Sequence, residues 1–248
     1  MYEFCSQFGE DMYVFNRFIN KINDTGTFVE LGALNGINYS ISLFFERYLK
    51  FKGILIEPTY EYNELIVNRP KCYNFNYAIN YTNDKSLFLG TGACSGLVET
   101  MSENFKNTHH KNNDNTYYVN CKPMKEIIES TDIKYIDLFI IDVEGAEKVV
   151  LETMDFSIPI YVIIIELDGH NIEKDNICRE ILIKNGFTLD IRVSINEFWI
   201  NNNYFRKDLL YDETIPKINF DNLSSHGFNR FIDFNHHHIN ELRNSLLI

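Results

Sequence analysis

The sequence predicts an α/β domain with alternating strands and helices and a sheet wound in both directions from its middle. Three stretches predict it. Gly26 to Pro58 reads as strand, glycine turn, helix, strand and terminal acid, the opening unit of a doubly wound domain that binds a nucleotide-like cofactor. Ile136 to Asp142 is a buried-strand pattern that ends in an acid and runs into a helical pattern. Ile158 to Ile165 is the most β-branched run in the chain, as a central parallel strand requires.

In order, Ser6 to Asp11 opens the chain as a turn. Met12, Val14, Phe15, Phe18 and Ile19 then give a helix its apolar face, with Ser6 or Asp11 expected near its start. Thr27 to Glu30 is the first strand, Leu31 to Gly36 the turn, Ser40 to Leu49 a helix and Gly53 to Ile56 the second strand. Tyr60 to Asn68 reads as a helix with Leu65 and Ile66 inward, stopped by Pro70. Tyr73 to Ile79 alternates as one third strand, and Lys85 to Leu89 as a short hairpin strand. Residues 90–116 are glycine-rich and then polar, and are expected to form a long lid or substrate loop. Tyr117 to Cys121 reads as a strand and Met124 to Ser130 as a short helix. After Ile158 to Ile165 comes Glu166-Leu167-Asp168-Gly169-His170, then a helix from Ile172 closed by Gly186. Phe187 to Leu189 and Glu197 to Ile200 are the last strands. From residue 206 the pattern weakens into an extension for packing or association, carrying His226 and a surface run, His236 to His238.

The turn identifies the cofactor. A dinucleotide site needs G-x-G-x-x-G, whose second glycine lets the backbone touch a pyrophosphate. Here the spacing is Glu30-x-Gly32-x-x-x-Gly36, with Ala33-Leu34 where that glycine would stand and no lysine for a phosphate cradle. An acid ending the first strand suits an ammonium group, and Glu57, ending the second, suits two ribose hydroxyls. S-adenosylmethionine carries both.

Composition narrows the partners. The chain has 248 residues, enough for one large α/β domain, and its 45% hydrophobic content supports a sizeable core. A net charge of −12 argues against nucleic acid as a partner. The five scattered cysteines form no C-x-x-C and suit a reducing compartment. No apolar run is long enough to span a bilayer, and Met1 to Phe4 do not resemble a signal peptide. The expectation is a soluble, cytoplasmic protein; a homodimer is compatible with the sequence but not indicated by it.

Four pieces, in order, resemble FkbM-type methyltransferases: Ser6-Gln7-Phe8-Gly9-Glu10-Asp11, the turn Phe28 to Gly36, Ile56-Glu57-Pro58, and Asp142-Val143-Glu144-Gly145-Ala146-Glu147 within Ile136 to Leu151. The resemblance covers residues 2–205, outside the 90–116 loop. It implies a class I methyltransferase (Rossmann-like) fold over residues 1–205, with a seven-stranded, mostly parallel sheet and helices on both faces. It also implies methyl transfer from S-adenosylmethionine to oxygen, often on sugar or glycan hydroxyls.

Cofactor binding is assigned to Gln7, Glu30, Gly32, Ala33, Asn35, Gly36, Glu57, Pro58, Ala78, Ile79 and Asp142. Asp142, Glu166 and His170 are the catalytic candidates, placed where open α/β sheets bind ligands. Asp142, Glu166 and Asp168 could hold Mg2+, which would activate the acceptor hydroxyl; the rival is a metal-free site with Asp142 or His170 as base. Glu144 and Glu147 have a second reading as helix N-terminal acids, although Gly145 gives Glu144 room to reach the site. Two other functions remain open: a non-catalytic S-adenosylmethionine-binding module and an NAD-dependent oxidoreductase.

Overall fold

The structure, a computed structural model, describes residues 3–111 and 115–218. His226 and the run His236 to His238 lie outside the described residues. In chain order the elements are α1 (Glu10–Arg17), β1 (Thr27–Leu31), α2 (Ser42–Leu49), β2 (Lys52–Ile56), α3 (Tyr62–Asn68), β3 (Tyr73–Phe75), β4 (Ala78–Ile79), β5 (Lys85–Leu89), β6 (Gly96–Leu97), α4 (Glu103–His109), β7 (Thr116–Lys122), α5 (Met124–Glu129), β8 (Ile136–Ile141), α6 (Glu147–Thr153), β9 (Ile160–Glu166), α7 (Ile172–Lys184), β10 (Thr188–Val193), β11 (Asn196–Ile200) and α8 (Lys207–Leu210).

Seven strands form the main sheet in the order β10-β11-β9-β8-β1-β2-β3. β9, β8, β1, β2 and β3 pair in parallel. β11 is antiparallel to both of its neighbours, so the sheet is mixed, with one reversed strand. Alternate strand residues feed two cores, as a period of two demands. Phe28, Leu55, Leu138, Ile140, Val162 and Ile164 pack against α1 and α2. Val29, Ile54, Ile56, Phe139, Ile163 and Ile165 pack against α5, α6 and α7. Both faces being covered explains why β8 and β9 read as unbroken apolar runs.

Four local expectations are corrected. α1 starts from Gly9, in the left-handed region at φ 85° and with no side-chain cap. Asp11 instead binds backwards, accepting from Cys5 N at 2.8 Å and from Ser6 Oγ at 2.6 Å. Ile66 is 40% exposed; Leu65 alone of the expected pair faces the core. The strand expected over Tyr73 to Ile79 is two strands in two sheets. Asn76 breaks it by donating from Nδ2 to Glu57 O at 2.8 Å, which turns the chain out of the main sheet. Residues 90–116 are not an unstructured loop: they contain β6 and α4, the latter capped by Ser102 Oγ accepting from Phe105 N at 3.0 Å.

The second sheet has four strands in the order β4-β7-β5-β6 and its own small core around Phe88, Leu97 and Val119. It leaves the main sheet after β3 and returns before α5, and it walls one side of the cavity described next. The described part of the extension packs on α1, where Asn16 exchanges hydrogen bonds with Ile218 at 2.8 and 3.0 Å. No described helix is long and apolar enough to cross a membrane.

Candidate active site

A cavity of about 370 Å³ opens at the carboxyl ends of β1, β2, β8 and β9. That is where open α/β sheets bind ligands. Gln7 closes it from the N-terminal arm, Phe88 and Leu97 from the second sheet, and Phe105 and His109 from α4.

One half is built on the turn after β1. Gly32 has φ +71°, and a Cβ there would lie 2.1 Å from Asp142 O, so only glycine lets the β1 turn and the end of β8 touch. The amides of Gly32 and Ala33 donate to Ile56 O at 3.1 and 3.2 Å. Leu34 N donates to Glu57 Oε2 at 2.9 Å, and Thr59 N to Glu57 Oε1 at 2.8 Å. Burial pushes the Glu57 carboxyl above its ordinary range, while these bonds oppose the rise.

Glu30 has a role the sequence did not reveal. It lines the cavity, but its carboxylate caps α2. Oε1 accepts from Ile41 N at 2.7 Å, and Oε2 accepts from Ser40 Oγ at 2.7 Å and Ser42 Oγ at 2.5 Å. The same two serines accept from Arg69, which is 1% exposed, binds Gly36 O at 2.9 Å and pairs with Glu46. Arg69 thus fixes the turn from behind. Gly36 packs against that arginine, Ala33 against the core, and Asn35 Oδ1 accepts from Ile37 N at 3.1 Å and Asn38 N at 3.0 Å. These three shape the turn and do not line the cavity; Gln7, Glu30, Gly32, Glu57, Pro58, Ala78, Ile79 and Asp142 do.

The other half is acidic. Carboxylate oxygens of Asp142, Glu144 and Glu166 lie within 4.8 Å of one another. Burial raises Asp142 and raises Glu166 well above the carboxylate range. The hydrogen bond between them favours a proton on Glu166 and the charge on Asp142. Burial, then the charge of Asp142, pushes Glu144 up to about 10. Glu144 enters the site through a left-handed backbone, φ 52°, followed by Gly145 at φ 110°. The oxygens that cluster differ from the Asp142, Glu166 and Asp168 set expected from sequence. Asp168 lines the cavity but is not in the cluster, and Glu144 takes its place. Asp168 Oδ1 instead accepts from His170 N at 2.9 Å.

Glu147 is the helix acid: it starts α6, accepts from Gly145 N at 3.0 Å and forms a buried pair with Lys174 at 2.5 Å. His170 lines the cavity, with its Nδ1 2.9 Å from Asn104 Nδ2. Its ring meets Phe105 edge-on at 5.5 Å and lies 5.9 Å from His109. Burial, followed by His170 and His110, holds His109 below its usual range. Phe105 and His109 went unread because they sat in a stretch rich in glycine, histidine and asparagine. The available signal was Ser102-Glu103, a cap followed by a first-turn acid.

The N-terminal arm places Gln7. Asp11 gathers Cys5, Ser6 and Met12, and Glu10 accepts from Phe8 N and Asn196 Nδ2, each at 2.8 Å. Burial drives Glu10 to about 7 and Asp11 to about 6.

The family model for the methyltransferase FkbM domain matches residues 30–206. A similar solved structure is the methyltransferase FkbM from Methylobacillus flagellatus KT, with 14% identity and a TM-score of 0.42. The match covers 71% of this chain and 44% of that one, so this chain spans less than half of that protein's length. No curated protein matches the sequence. With a family model covering the sheet centre, the turn, Glu57 and the acidic cluster, the chain belongs to the methyltransferase FkbM domain family.

Proposed function

We propose that the chain is an S-adenosylmethionine-dependent O-methyltransferase of the class I fold, acting on a hydroxyl of a sugar or glycan. Residues 1–205 form the transferase unit, and 206–248 an appended extension. The observation that carries the cofactor choice is how the turn spends its donors. The amides of Gly32, Ala33 and Leu34 all have partners within the protein, and the N-terminus of α2 already holds the Glu30 carboxylate. A pyrophosphate would find no free amide there and would meet a negative charge, which argues against NAD. A ribose and a cationic amino-acid group suit the same surface. Each Glu57 oxygen holds one backbone amide, the Thr59 side chain also bonds the carboxylate, and the remaining acceptor capacity suits a diol. Ala78, Ile79 and Pro58 offer an apolar seat for a base, and the acids at the far end suit an ammonium and a sulfonium.

When bound, S-adenosylmethionine supplies a methyl group on an excellent leaving group. The chain's own residues must align an acceptor oxygen with it, exclude water and take a proton. Asp142 is the base in this reading, because it follows β8 at the cavity and its carboxylate lies among those of Glu144 and Glu166. His170, held at Nδ1 by Asn104, is the rival base or an orienting group for the acceptor. The oxygen cluster favours a second version: Asp142, Glu144 and Glu166 would hold a hard cation such as Mg2+, which would supply Lewis acidity toward the acceptor hydroxyl.

Calorimetry with S-adenosylmethionine, S-adenosylhomocysteine and NAD tests the cofactor, and a screen of nucleotide sugars and glycans for methyl gain by mass tests the reaction. Both sulfur compounds should bind and NAD should not. Tighter NAD binding overturns the reading. Cofactor binding without transfer to any acceptor favours the non-catalytic module. Activity that survives exhaustive chelation removes the cation.

A further inference from the structure

Beside the cavity lies a second hollow that the transferase reading does not use. Its volume is about 310 Å³, and it runs between the Pro58 to Asn63 segment and residues 117–120 of β7. β4 pairs with β7 only at Cys121 and Lys122, so this edge of β7 is open above that point. Tyr60 and Tyr118 flank the hollow at 64% and 70% exposure. Asn63, Asn76 and Asn120 supply amides, and Lys85 is the single charged side chain lining it. Some of this polar capacity is committed. Asn63 Nδ2 donates to Tyr60 O, and Asn76 Nδ2 to Glu57 O, which leaves their Oδ1 atoms as acceptors. Tyr117 also lines the hollow, and its buried hydroxyl has no hydrogen-bond partner among the described residues.

We infer that this hollow is a binding groove for a neutral oligosaccharide. Exposed tyrosine rings present flat apolar faces that match the C–H face of a sugar ring. Asparagine amides and tyrosine hydroxyls match sugar hydroxyls, which donate and accept in turn. Apart from Lys85 every lining side chain is neutral, so hydroxyl and amide hydrogen bonding outweighs charge in what the groove can recognise. Pro58 lines both this groove and the main cavity. A chain seated here would therefore run up to the cofactor side of the active site and anchor a long acceptor away from the reacting hydroxyl. The link to the acceptor rests on the proposed function, but binding in the groove does not.

The test is binding of the full chain to a printed array of neutral oligosaccharides, with hits measured by calorimetry and repeated on Tyr118→Ala and Tyr60→Ala. We expect at least one saturable ligand. Each variant should weaken it about tenfold or more while melting temperature and S-adenosylmethionine affinity stay unchanged. A ligand retained at full affinity by both variants overturns the assignment. So does an array with no hit, or a groove that instead binds unstructured peptides in competition with the glycan. If S-adenosylmethionine fails to bind while the glycan result holds, the transferase reading falls and the groove stands.

Discussion

Glu57→Gln is the sharpest test of how the cofactor is held. The carboxylate sits 2.9 Å from Leu34 N and 2.8 Å from Thr59 N, and the proposed ribose diol would use its remaining lone pairs. Glutamine keeps the length and one carbonyl oxygen but sets an amide NH2 against one of those backbone donors. A hydrogen bond to a charged acceptor contributes about 1.5–3 kcal/mol, and one is lost outright. At about 1.4 kcal/mol per decade, the cofactor should bind roughly ten- to a hundredfold more weakly. Calorimetry at a temperature well below the melting point measures this directly, with thermal unfolding as a control for the orphaned backbone N–H. The wild type should add a pH signature. Burial raises the Glu57 carboxyl, so affinity should begin to fall on acidification above the ordinary carboxylate range, and the glutamine variant should lack that fall. Wild-type affinity in Glu57→Gln, with the fold intact, refutes the ribose assignment.

Asp142→Asn should lower kcat at least about a hundredfold with little change in cofactor affinity, and near-normal turnover would remove Asp142 from the chemistry. Arg69→Met should cost about 3–5 kcal/mol in denaturant unfolding, because Glu46, Gly36 O and two serine hydroxyls lose a buried partner; a loss below about 1 kcal/mol contradicts that role. Glu10 has a folded-state pKa raised from 4.5 to about 7, so the folded state binds the extra proton and stability should fall as pH rises through that window. The effect is bounded at about 3 kcal/mol. Glu10→Gln should flatten the slope of melting temperature against pH between those values, and an unchanged slope assigns it to another group.

The centre of the sheet was legible because its strands are buried on both faces and its turn needs glycine. Thr27 to Glu57 and Ile136 to Glu166 read correctly for that reason, and Asp142, Glu166, His170 and Glu57 all line one cavity. What escaped was contact between distant segments. Nothing local marks Glu30 as the cap of α2, since the hydroxyls that bind it are ten and twelve residues away. Tyr73 to Ile79 alternates in sequence but not in burial, because Asn76 binds the Glu57 carbonyl just past β2 and divides the segment. Asp168 and Glu144 stand near the ends of adjacent strands, and it is Glu144, on a left-handed turn, whose carboxylate joins Asp142 and Glu166.

The second sheet begins and ends side by side: Ala78 pairs with Cys121 and Ile79 with Lys122. The chain between them is therefore an excursion that leaves and rejoins the scaffold at one place. Evolution can lengthen, trim or exchange such a cassette without re-registering the seven central strands or disturbing Gly32 and Glu57. Because Phe88, Leu97, Phe105 and His109 all reach the cavity from this one cassette, a single graft between relatives would replace one wall of the pocket and leave the glycine turn as it is.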